Sequence, residues 1–374
     1  MKYIVFTNTP AHVHLYRNAV QQLTARGHDV LVLARDYGCT LELLDWYDLP
    51  YTVYGACDTS KGSLFRQLPR QYAGIVRRAR RFDPDLIFGM GAYSAHAGLV
   101  TRTPTVLVLD SEPTSLDHAV SRPFAAAILT PAAFRKDLGT KHYVFDGFKE
   151  SAYLHPDVRS GTDDRLRERL GLAPDERYAL VRFNAFGSHH DVGEGGFTPD
   201  QRRTLVERLA DEVTVFVSDE GDGFDLEAVP ARSFDVHPAL MHDAIDEASL
   251  LVADTQTIVT EAALLGTAVI RSNSFVGPDD MGNFQRLDAA GLACNIESFD
   301  AVVERAAGIL ADPSAADRWR HRRDEFVDSM VNLTEVIVAI ATSGRIDDVS
   351  GVSRRGGATD DAHPTILPGT GQSG

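Results

Sequence analysis

The sequence predicts an α/β protein made of two doubly wound, Rossmann-like domains. Apolar runs rich in Val, Ile and Leu alternate with stretches of helical periodicity along most of the 374 residues. This alternation is typical of parallel sheets with helices on both faces. The chain is also long enough for two such domains with separate cores. A polar stretch containing Pro and Gly, residues 147–174, divides it into two halves.

Each half contains the strands that a doubly wound domain needs. The first half has candidates at residues 3–6, 30–33, 51–54, 86–88, 105–109, 127–129 and 143–145, and the second at 179–183, 213–217, 233–236, 250–253 and 268–270. We therefore place one domain at 1–155, a linker at 156–175 and a second domain at 176–342. Residues 314–341 predict a broken helix, and its return to the first domain is an open alternative. The Gly-, Ser- and Pro-rich residues 343–374 predict a disordered tail.

Composition limits the classes of function. Hydrophobic residues make up 44% and aromatic residues 8% of the chain, as in globular proteins. No apolar run is long enough to span a membrane and the chain enters a strand without a signal peptide, so we expect a cytoplasmic protein. The net charge of −16 argues against a nucleic-acid partner, because phosphate backbones attract clustered Lys and Arg. Acidic surplus with few lysines indicates a high-salt cytoplasm.

Cysteines and histidines do not predict a metal site. Cys39, Cys57 and Cys294 are odd in number and widely spaced, which indicates reduced, packed thiols. His189, His190 and Asp191 are adjacent, and adjacent residues rarely bind one ion together; no further spaced ligand is evident. We expect neither a metal nor a cofactor.

The most informative motif is the stretch 250–270, which predicts a buried strand, a polar turn, a helix ending at Gly266 and a further strand. The turn residues Thr255, Gln256 and Thr257 expose backbone N–H groups at a helix N-terminus, where the helix dipole favours an anion such as a diphosphate. Glu261 follows one turn later, where a carboxylate can accept hydrogen bonds from both hydroxyls of a ribose. The alternative is an ordinary crossover with a surface glutamate.

A second loop of the same half also predicts nucleotide-sugar binding. Residues 184–196 form a polar run flanked by glycines, and it includes Asn184 and Ser188. Together with Arg182 this run can bind a diphosphate opposite the Glu261 helix. His237, which precedes Pro238, is a candidate to lie over a base or ribose, with a simple turn as the alternative.

Three loops of the first half contain candidate acceptor-side residues. His12 lies where strand gives way to helix, so a neutral imidazole there can act as general base toward an acceptor hydroxyl; helix capping is the alternative. A glycine-rich loop with Gly89, Gly91 and Tyr93 allows close approach of a ligand. The next strand ends in Asp110 and Glu112, which are candidates for acid–base catalysis or for helix capping. These are the first-half residues that we assign to catalysis and to the acceptor side.

Several spaced motifs resemble DUF354, an uncharacterised, mainly archaeal family with a predicted glycosyltransferase-B (GT-B)-like fold. The match spans roughly residues 1–340, with motifs Pro10-Ala11-His12-Val13-His14, Arg26-Gly27-His28-Asp29-Val30, Leu41-Glu42-Leu43-Leu44, Lys149-Glu150-Ser151-Ala152-Tyr153-Leu154-His155-Pro156, Asp191-Val192-Gly193 and Glu261-Ala262-Ala263-Leu264-Leu265-Gly266. The resemblance implies two Rossmann-like domains that face each other across a cleft.

More distantly, the order of elements is similar to the MurG glycosyltransferases and the UDP-N-acetylglucosamine 2-epimerases. The first resemblance implies that Glu261 binds ribose and that Pro10-Ala11-His12 replaces a Gly-Gly-His loop, which argues against a diphosphate-lipid site there. The epimerase motifs His-Arg-Arg-Glu-Asn and His-Val-Glu-Ala-Gly are absent from the sequence. Asp110 and Glu112 are the nearest substitutes for their acid–base pair.

Three functions follow from these patterns. The first is a sugar-nucleotide-dependent glycosyltransferase of GT-B type in glycan or polysaccharide biosynthesis, with a nucleotide-sugar donor, most simply a UDP-sugar, and a sugar or lipid-linked acceptor. The second is a non-hydrolysing epimerase that uses Asp110, Glu112 and His189 or His190. The third is a non-catalytic nucleotide-sugar-binding protein. Association with a membrane surface is open, although the acidic composition and the lack of a basic amphipathic helix give it no support.

Overall fold

A computed structural model describes residues 1–56, 61–159, 161, 163–184, 195–221 and 223–356, with the backbone alone for 61–66. The chain divides into two compact units. The first contains Met1–Arg159 and the residues from Met330 onward, and the second contains Ser160–Ser329. Each unit has one sheet whose strands are almost all parallel. The predicted fold class, two doubly wound α/β domains, is therefore confirmed.

The first unit begins with the elements β1 Lys2–Thr7, α1 Pro10–Ala25, β2 Asp29–Asp36, α2 Thr40–Trp46, β3 Tyr51–Ala56, α3 Lys61–Phe82, β4 Leu86–Gly89, α4 Ala92–Thr101, β5 Thr105–Val108, α5 Ser115–Ser121, β6 Ala127–Pro131, β7 His142–Phe145 and α6 Ser151–Leu154. The second unit contains α7 Leu166–Arg169, β8 Tyr178–Phe183, α8 Pro199–Ala210, β9 Thr214–Asp219, β10 Arg232–Ser233, α9 Met241–Glu247, β11 Leu250–Ala253, α10 Thr257–Leu265, β12 Val269–Arg271, α11 Gly282–Ala289, β13 Cys294–Asn295, α12 Phe299–Ala311 and α13 Ala315–Val327. The chain then returns to the first unit with α14 Leu333–Ser343 and β14 Val352–Arg354.

The sheet of the first unit has the strand order β14-β7-β6-β5-β4-β1-β2-β3. Strands β4, β5 and β6 are buried at every position because helices cover both faces, which explains their uninterrupted apolar sequences. The strand order reverses between β1 and β4. Ligands of doubly wound sheets bind outside the carboxyl ends of the strands at such a switch point.

The sheet of the second unit is parallel throughout, with the order β10-β9-β8-β11-β12-β13. Its core contains Val181, Val252 and Ile270 together with Trp319 of α13, whose indole N–H donates to the carbonyl of Leu292 at 3.0 Å. Here the order reverses between β8 and β11. The loop after β8 and the turn after β11 therefore meet at the switch point of this unit.

The end of the chain differs from the sequence prediction. The prediction of a disordered tail from residue 343 is wrong for its first part, since β14 pairs antiparallel with β7 and Val352 lies opposite Phe145. Helix α14 belongs to the first unit, where Thr334 Oγ1 donates to the carbonyl of Ala152 at 2.7 Å. The phenol of Tyr3 donates to the carbonyl of Ala341 at 2.7 Å. The second unit thus ends at Ser329 and not at residue 342.

Within the part of the chain that the structure describes, no helix is both long enough and apolar enough to cross a membrane.

Candidate functional site

In the second unit, the carboxylate of Asp254 joins both ends of the loop that follows β8. Its Oδ1 accepts the backbone N–H of Asn184 at 2.7 Å and its Oδ2 accepts that of Phe197 at 3.3 Å, with Arg202 Nη2 3.4 Å from Oδ2. Asp254 is completely buried, and burial raises its pKa to about 6 in spite of these donors. The loop and the turn predicted to share a diphosphate therefore begin side by side. Residues 185–194 lie outside the described residues.

The turn after β11 ends at an uncapped helix N-terminus. Helix α10 begins at Thr257, and the side chain of its N-cap residue, Gln256, makes no capping hydrogen bond. Thr255 is only 9% exposed, and its hydroxyl has no hydrogen-bond partner among the residues that the structure describes. A buried hydroxyl without a partner costs free energy, so its retention beside a helix N-terminus favours a ligand there. This arrangement can bind an anion through backbone donors and the helix dipole.

Glu261 lies in the second turn of α10 and is 6% exposed, so the alternative of a surface glutamate is wrong. Its Oε1 is 3.0 Å from Nε2 of His242, a buried residue of α9. The imidazole restricts the carboxylate to one orientation. His242 is not predicted by the sequence, because nothing in the stretch 241–247 distinguishes it from other helical residues.

Other residues predicted to bind the nucleotide have partners elsewhere. The guanidinium of Arg182 binds Ser218 Oγ and lies 2.5 Å from Glu220 Oε1 at the end of β9. Because this acidic partner compensates its charge, we leave Arg182 out of the proposed donor site. His237 accepts the N–H of Ala239 at 3.1 Å through Nδ1, which fits the turn alternative. Ser188, like His189, His190 and Asp191, lies outside the described residues.

In the first unit, His12 lies in the first turn of α1, at the switch point between β1 and β4. Its Nδ1 accepts the backbone N–H of Asn8 at 3.2 Å. In the neutral ring the proton is therefore on Nε2, which makes that nitrogen a donor. Burial, together with the positive charges of Lys149 and Arg35, lowers the pKa of His12 to about 3, and Asp110 opposes this effect. The tautomer and the pKa favour a donor role over the predicted role of general base.

The charges of Asp110 and Lys149 both act on His12, so the three residues lie close together. Lys149 Nζ is 2.5 Å from Asp110 Oδ2, and the lysine is buried. Lys149 is not among the residues that the sequence predicts for the site. Two signals in the sequence pointed to it: the chain has only five lysines, and Lys149 begins one of the motifs that resemble DUF354.

The second predicted carboxylate, Glu112, is engaged on both oxygens. Oε1 accepts the backbone N–H of Arg135 at 3.2 Å, and Oε2 is 3.5 Å from Arg135 Nε. The ammonium of Lys136 donates to the Glu112 carbonyl at 2.6 Å. Glu112 therefore connects the end of β5 to the loop after β6, and we remove it from the proposed acid–base groups.

The glycine-rich loop is shaped by contacts within the protein. A Cβ atom on Gly89 would lie 2.4 Å from Cβ of Ser94, and one on Gly91, where φ is +82°, would lie 2.5 Å from Oδ2 of Asp117. The phenol of Tyr93 donates to Gln71 at 2.8 Å. The two glycines are thus required for internal packing, and a role in the approach of a ligand stays a prediction.

Among the described residues, no group of three or more His, Cys, Asp or Glu side chains is placed to hold a metal ion.

The fold of the chain is similar to that of several solved structures. The chain is similar to the S. aureus MnaA–UDP complex, with a TM-score of 0.67, 12% identity, and coverage of 91% of this chain and 96% of the other. It is similar to the Neisseria meningitidis UDP-GlcNAc 2-epimerase bound to UDP-GlcNAc (TM-score 0.63, 10% identity, coverage 92% and 100%). It is also similar to the spinosyn rhamnosyltransferase SpnG complexed with spinosyn aglycone (TM-score 0.59, 15% identity, coverage 91% and 100%).

The chain therefore has the fold shared by GT-B glycosyltransferases and UDP-GlcNAc 2-epimerases, in agreement with the more distant resemblance predicted from the sequence. No protein-family model and no curated protein sequence matches it. Membership of DUF354 stays a prediction.

Buried neutral histidines of the first unit predict a pH dependence of stability. The pKa of His142 is lowered to about 4 by burial and by Arg355, and that of His12 to about 3. Both values lie below the ordinary value of about 6.5, so the unfolded chain binds protons that the folded chain does not. The contribution of these groups to stability is present above about pH 6.5 and is lost as the pH falls toward about 4.

We expect the urea midpoint of wild type to fall over this range, and His142→Gln to reduce the fall because glutamine does not titrate. His321→Gln, a change at an exposed histidine, serves as control. A His142→Gln profile as steep as that of the control would contradict the assignment.

Proposed function

We propose that the chain is a sugar-nucleotide-dependent glycosyltransferase. The observation that supports this most is the N-terminus of α10, which lies at the switch point of the second sheet and is not capped by its own N-cap side chain. Beside it, the buried hydroxyl of Thr255 has no partner among the residues that the structure describes. Glu261 follows within the same helix as a buried carboxylate oriented by His242. An anion-binding turn followed at this spacing by an oriented carboxylate suits the diphosphate and the ribose of one nucleotide.

The donor proposed is a UDP-sugar. Two of the similar structures contain UDP or UDP-GlcNAc, and two others contain thymidine diphosphate (dTDP). Gln256 and Thr257 supply backbone donors at the diphosphate, and Asn184 begins the loop on the other side of Asp254. The acceptor is a sugar or a lipid-linked sugar. No metal or further cofactor is required, because backbone donors and the helix dipole stabilise the departing diphosphate.

On the acceptor side, we assign His12 as a hydrogen-bond donor through Nε2 and Asp110 as the group that takes the proton from the acceptor hydroxyl. Asp110 Oδ2 is paired with Lys149, and Oδ1 has no partner within the described part of the chain. A charge-paired carboxylate with one open oxygen can accept a proton, whereas the His12 tautomer presents a hydrogen.

The experiment that tests the donor site is a thermal-shift screen of the full chain in high salt against UDP, GDP, dTDP and their sugar conjugates. A ligand that binds only the folded state raises the melting temperature by mass action. We expect a selective shift with one nucleotide and its sugar conjugates. The absence of a shift with every nucleotide would mean that the Glu261 motif is structural.

His12→Ala is expected to lower turnover about 10- to 100-fold with little change in donor affinity, because one oriented donor is lost. His12→Gln is expected to recover part of the rate, since its amide still donates. The measurement is release of nucleoside diphosphate, with exposed His321→Ala as control. If His12→Gln were as slow as His12→Ala, the imidazole would act as general base and not as a donor. If His12→Ala were fully active, His12 would not belong to the site.

An epimerase is the second candidate, because two similar structures that are named as UDP-GlcNAc 2-epimerases each have a TM-score of 0.63. Elimination and re-addition require two acid–base groups, and Arg135 engages the second predicted carboxylate, Glu112. This engagement is why we place the transferase first. An epimerase would incorporate solvent deuterium at C2 of the sugar nucleotide without an acceptor, whereas a transferase would release nucleoside diphosphate only with one.

A further inference from the structure

Helix α4 begins at Ala92, directly after β4, one of the two strands at the switch point of the first sheet. Helix N-termini at such positions commonly bind phosphate groups. In this protein a carboxylate of the same unit occupies the position. Asp117 of α5 accepts the backbone N–H of Ala92 at 3.1 Å through Oδ1. Its Oδ2 lies 2.5 Å from where a Cβ atom on Gly91 would be, which is too close for any side chain, so glycine at this position is what admits the carboxylate.

The other helix N-terminus at this switch point, that of α1, offers few donors. Pro10 in its first turn has no backbone N–H. The N–H of His12 donates to the Thr9 carbonyl at 3.0 Å, and the N–H of Asn8 donates to His12 Nδ1 at 3.2 Å. Two independent features therefore remove phosphate-binding donors from the same place in the fold.

The nearby positive charge of Lys149 does not compensate for this loss of phosphate-binding donors. The ammonium of Lys149 is paired with Asp110 at 2.5 Å and is 3.6 Å from Glu150 Oε1, so two carboxylates compensate its charge. A phosphate placed at the N-terminus of α4 would meet a carboxylate at short range and would have to displace it from its donor. A hydroxyl group suffers no such repulsion.

We infer that Asp117 is a specificity-determining residue that makes the first unit select an acceptor without a phosphate group at this position. The inference rests on the proposed function, since it concerns the second substrate of that transferase. It implies that the part of the acceptor at this position is a neutral hydroxyl group, and that an acceptor whose diphosphate would lie at this position, as in a diphosphate-linked lipid bound there, is excluded.

The test is titration of pyrophosphate, as a stand-in for the diphosphate of such a lipid, into the ¹⁵N-labelled full chain, with UDP present in excess to fill the donor site. Amide signals of Gly91 and Ala92 report the N-terminus of α4. We expect them to stay unchanged in wild type and to shift in Asp117→Asn and Asp117→Ala, with pyrophosphate binding there about tenfold tighter or more than in wild type. Asp137→Asn, which changes another aspartate that accepts a backbone N–H in this unit, at Gly139, should behave as wild type.

Two outcomes would overturn the inference: pyrophosphate shifting the Gly91 and Ala92 signals of wild type, or no gain of binding in either Asp117 variant. The signals of Thr255 and Thr257 distinguish this failure from that of the proposed function. If UDP leaves them unchanged, the donor site is wrong, whatever the result at α4. If UDP shifts them while wild type also binds pyrophosphate at α4, the donor site stands and the acceptor inference alone is lost.

Discussion

Replacing Glu261 by Ala is expected to weaken UDP binding about 10- to 100-fold, because a hydrogen bond to a charged group contributes about 1.5–3 kcal/mol. The carboxylate is buried in the second turn of α10 and oriented by His242 at 3.0 Å. Both ribose hydroxyls would lose an acceptor in the variant, while the diphosphate contacts at the start of the helix would remain. Isothermal titration with UDP measures the change, and titration with pyrophosphate is expected to change little.

Two further variants make this result specific. Glu261→Gln keeps the packing and one oxygen, so it should weaken UDP less than Ala does. Glu207→Ala removes an exposed glutamate from α8 of the same unit and should leave the affinity unchanged. If Glu261→Ala binds UDP as tightly as Glu207→Ala, the carboxylate has no ribose role and its burial serves the fold.

Asp254→Ala is expected to reduce the free energy of unfolding of the second unit by about 3 kcal/mol. The change leaves the N–H groups of Asn184 and Phe197 without their acceptor and the guanidinium of Arg202 without one of its carboxylates. Urea unfolding near neutral pH, followed by a probe in this unit, measures the loss. Asp235→Ala, a change at an exposed aspartate, should stay within about 0.5 kcal/mol of wild type.

The pH dependence of the free energy of unfolding gives an independent check on the role of Asp254. The pKa of Asp254 is raised to about 6, above its ordinary value, so the folded state binds a proton that the unfolded state has released. Its contribution to stability is therefore full below about pH 4 and declines as the pH rises toward about 6. Asp254→Asn should abolish this decline. If the stability of Asp254→Asn declined with rising pH as steeply as that of wild type, another group would have to titrate in this pH range.

The sequence predicted those parts of the fold that local pattern determines. Strand β11 has the predicted bounds, because a strand buried on both faces is a continuous apolar run. Strands β13 and β14 were missed, since two or three residues of mixed polarity contain no periodicity. β14 exists because it pairs with β7, which is far away in sequence. Such pairing is invisible to any local window.

The same distinction applies to the candidate site. The turn before α10 and Glu261 could be predicted because strand, turn and helix follow one another in sequence. Lys149, His242 and Asp117 could not be, because their partners lie 39, 19 and 25 residues away along the chain. Nor could a sequence pattern indicate that Glu220 and Arg135 would engage Arg182 and Glu112.

The return of α14 and β14 to the first unit has a consequence for biosynthesis. A chain emerging from the ribosome completes its domains in order only if each domain is continuous. Here the strand that covers the edge of β7 and the helix that receives the hydroxyl of Tyr3 are translated only after the whole second unit. Until then the edge of β7 exposes unpaired backbone groups, which can pair with other chains. The domain translated first is therefore the one completed last, and a nascent chain that stops before Met330 cannot finish either its sheet or its core.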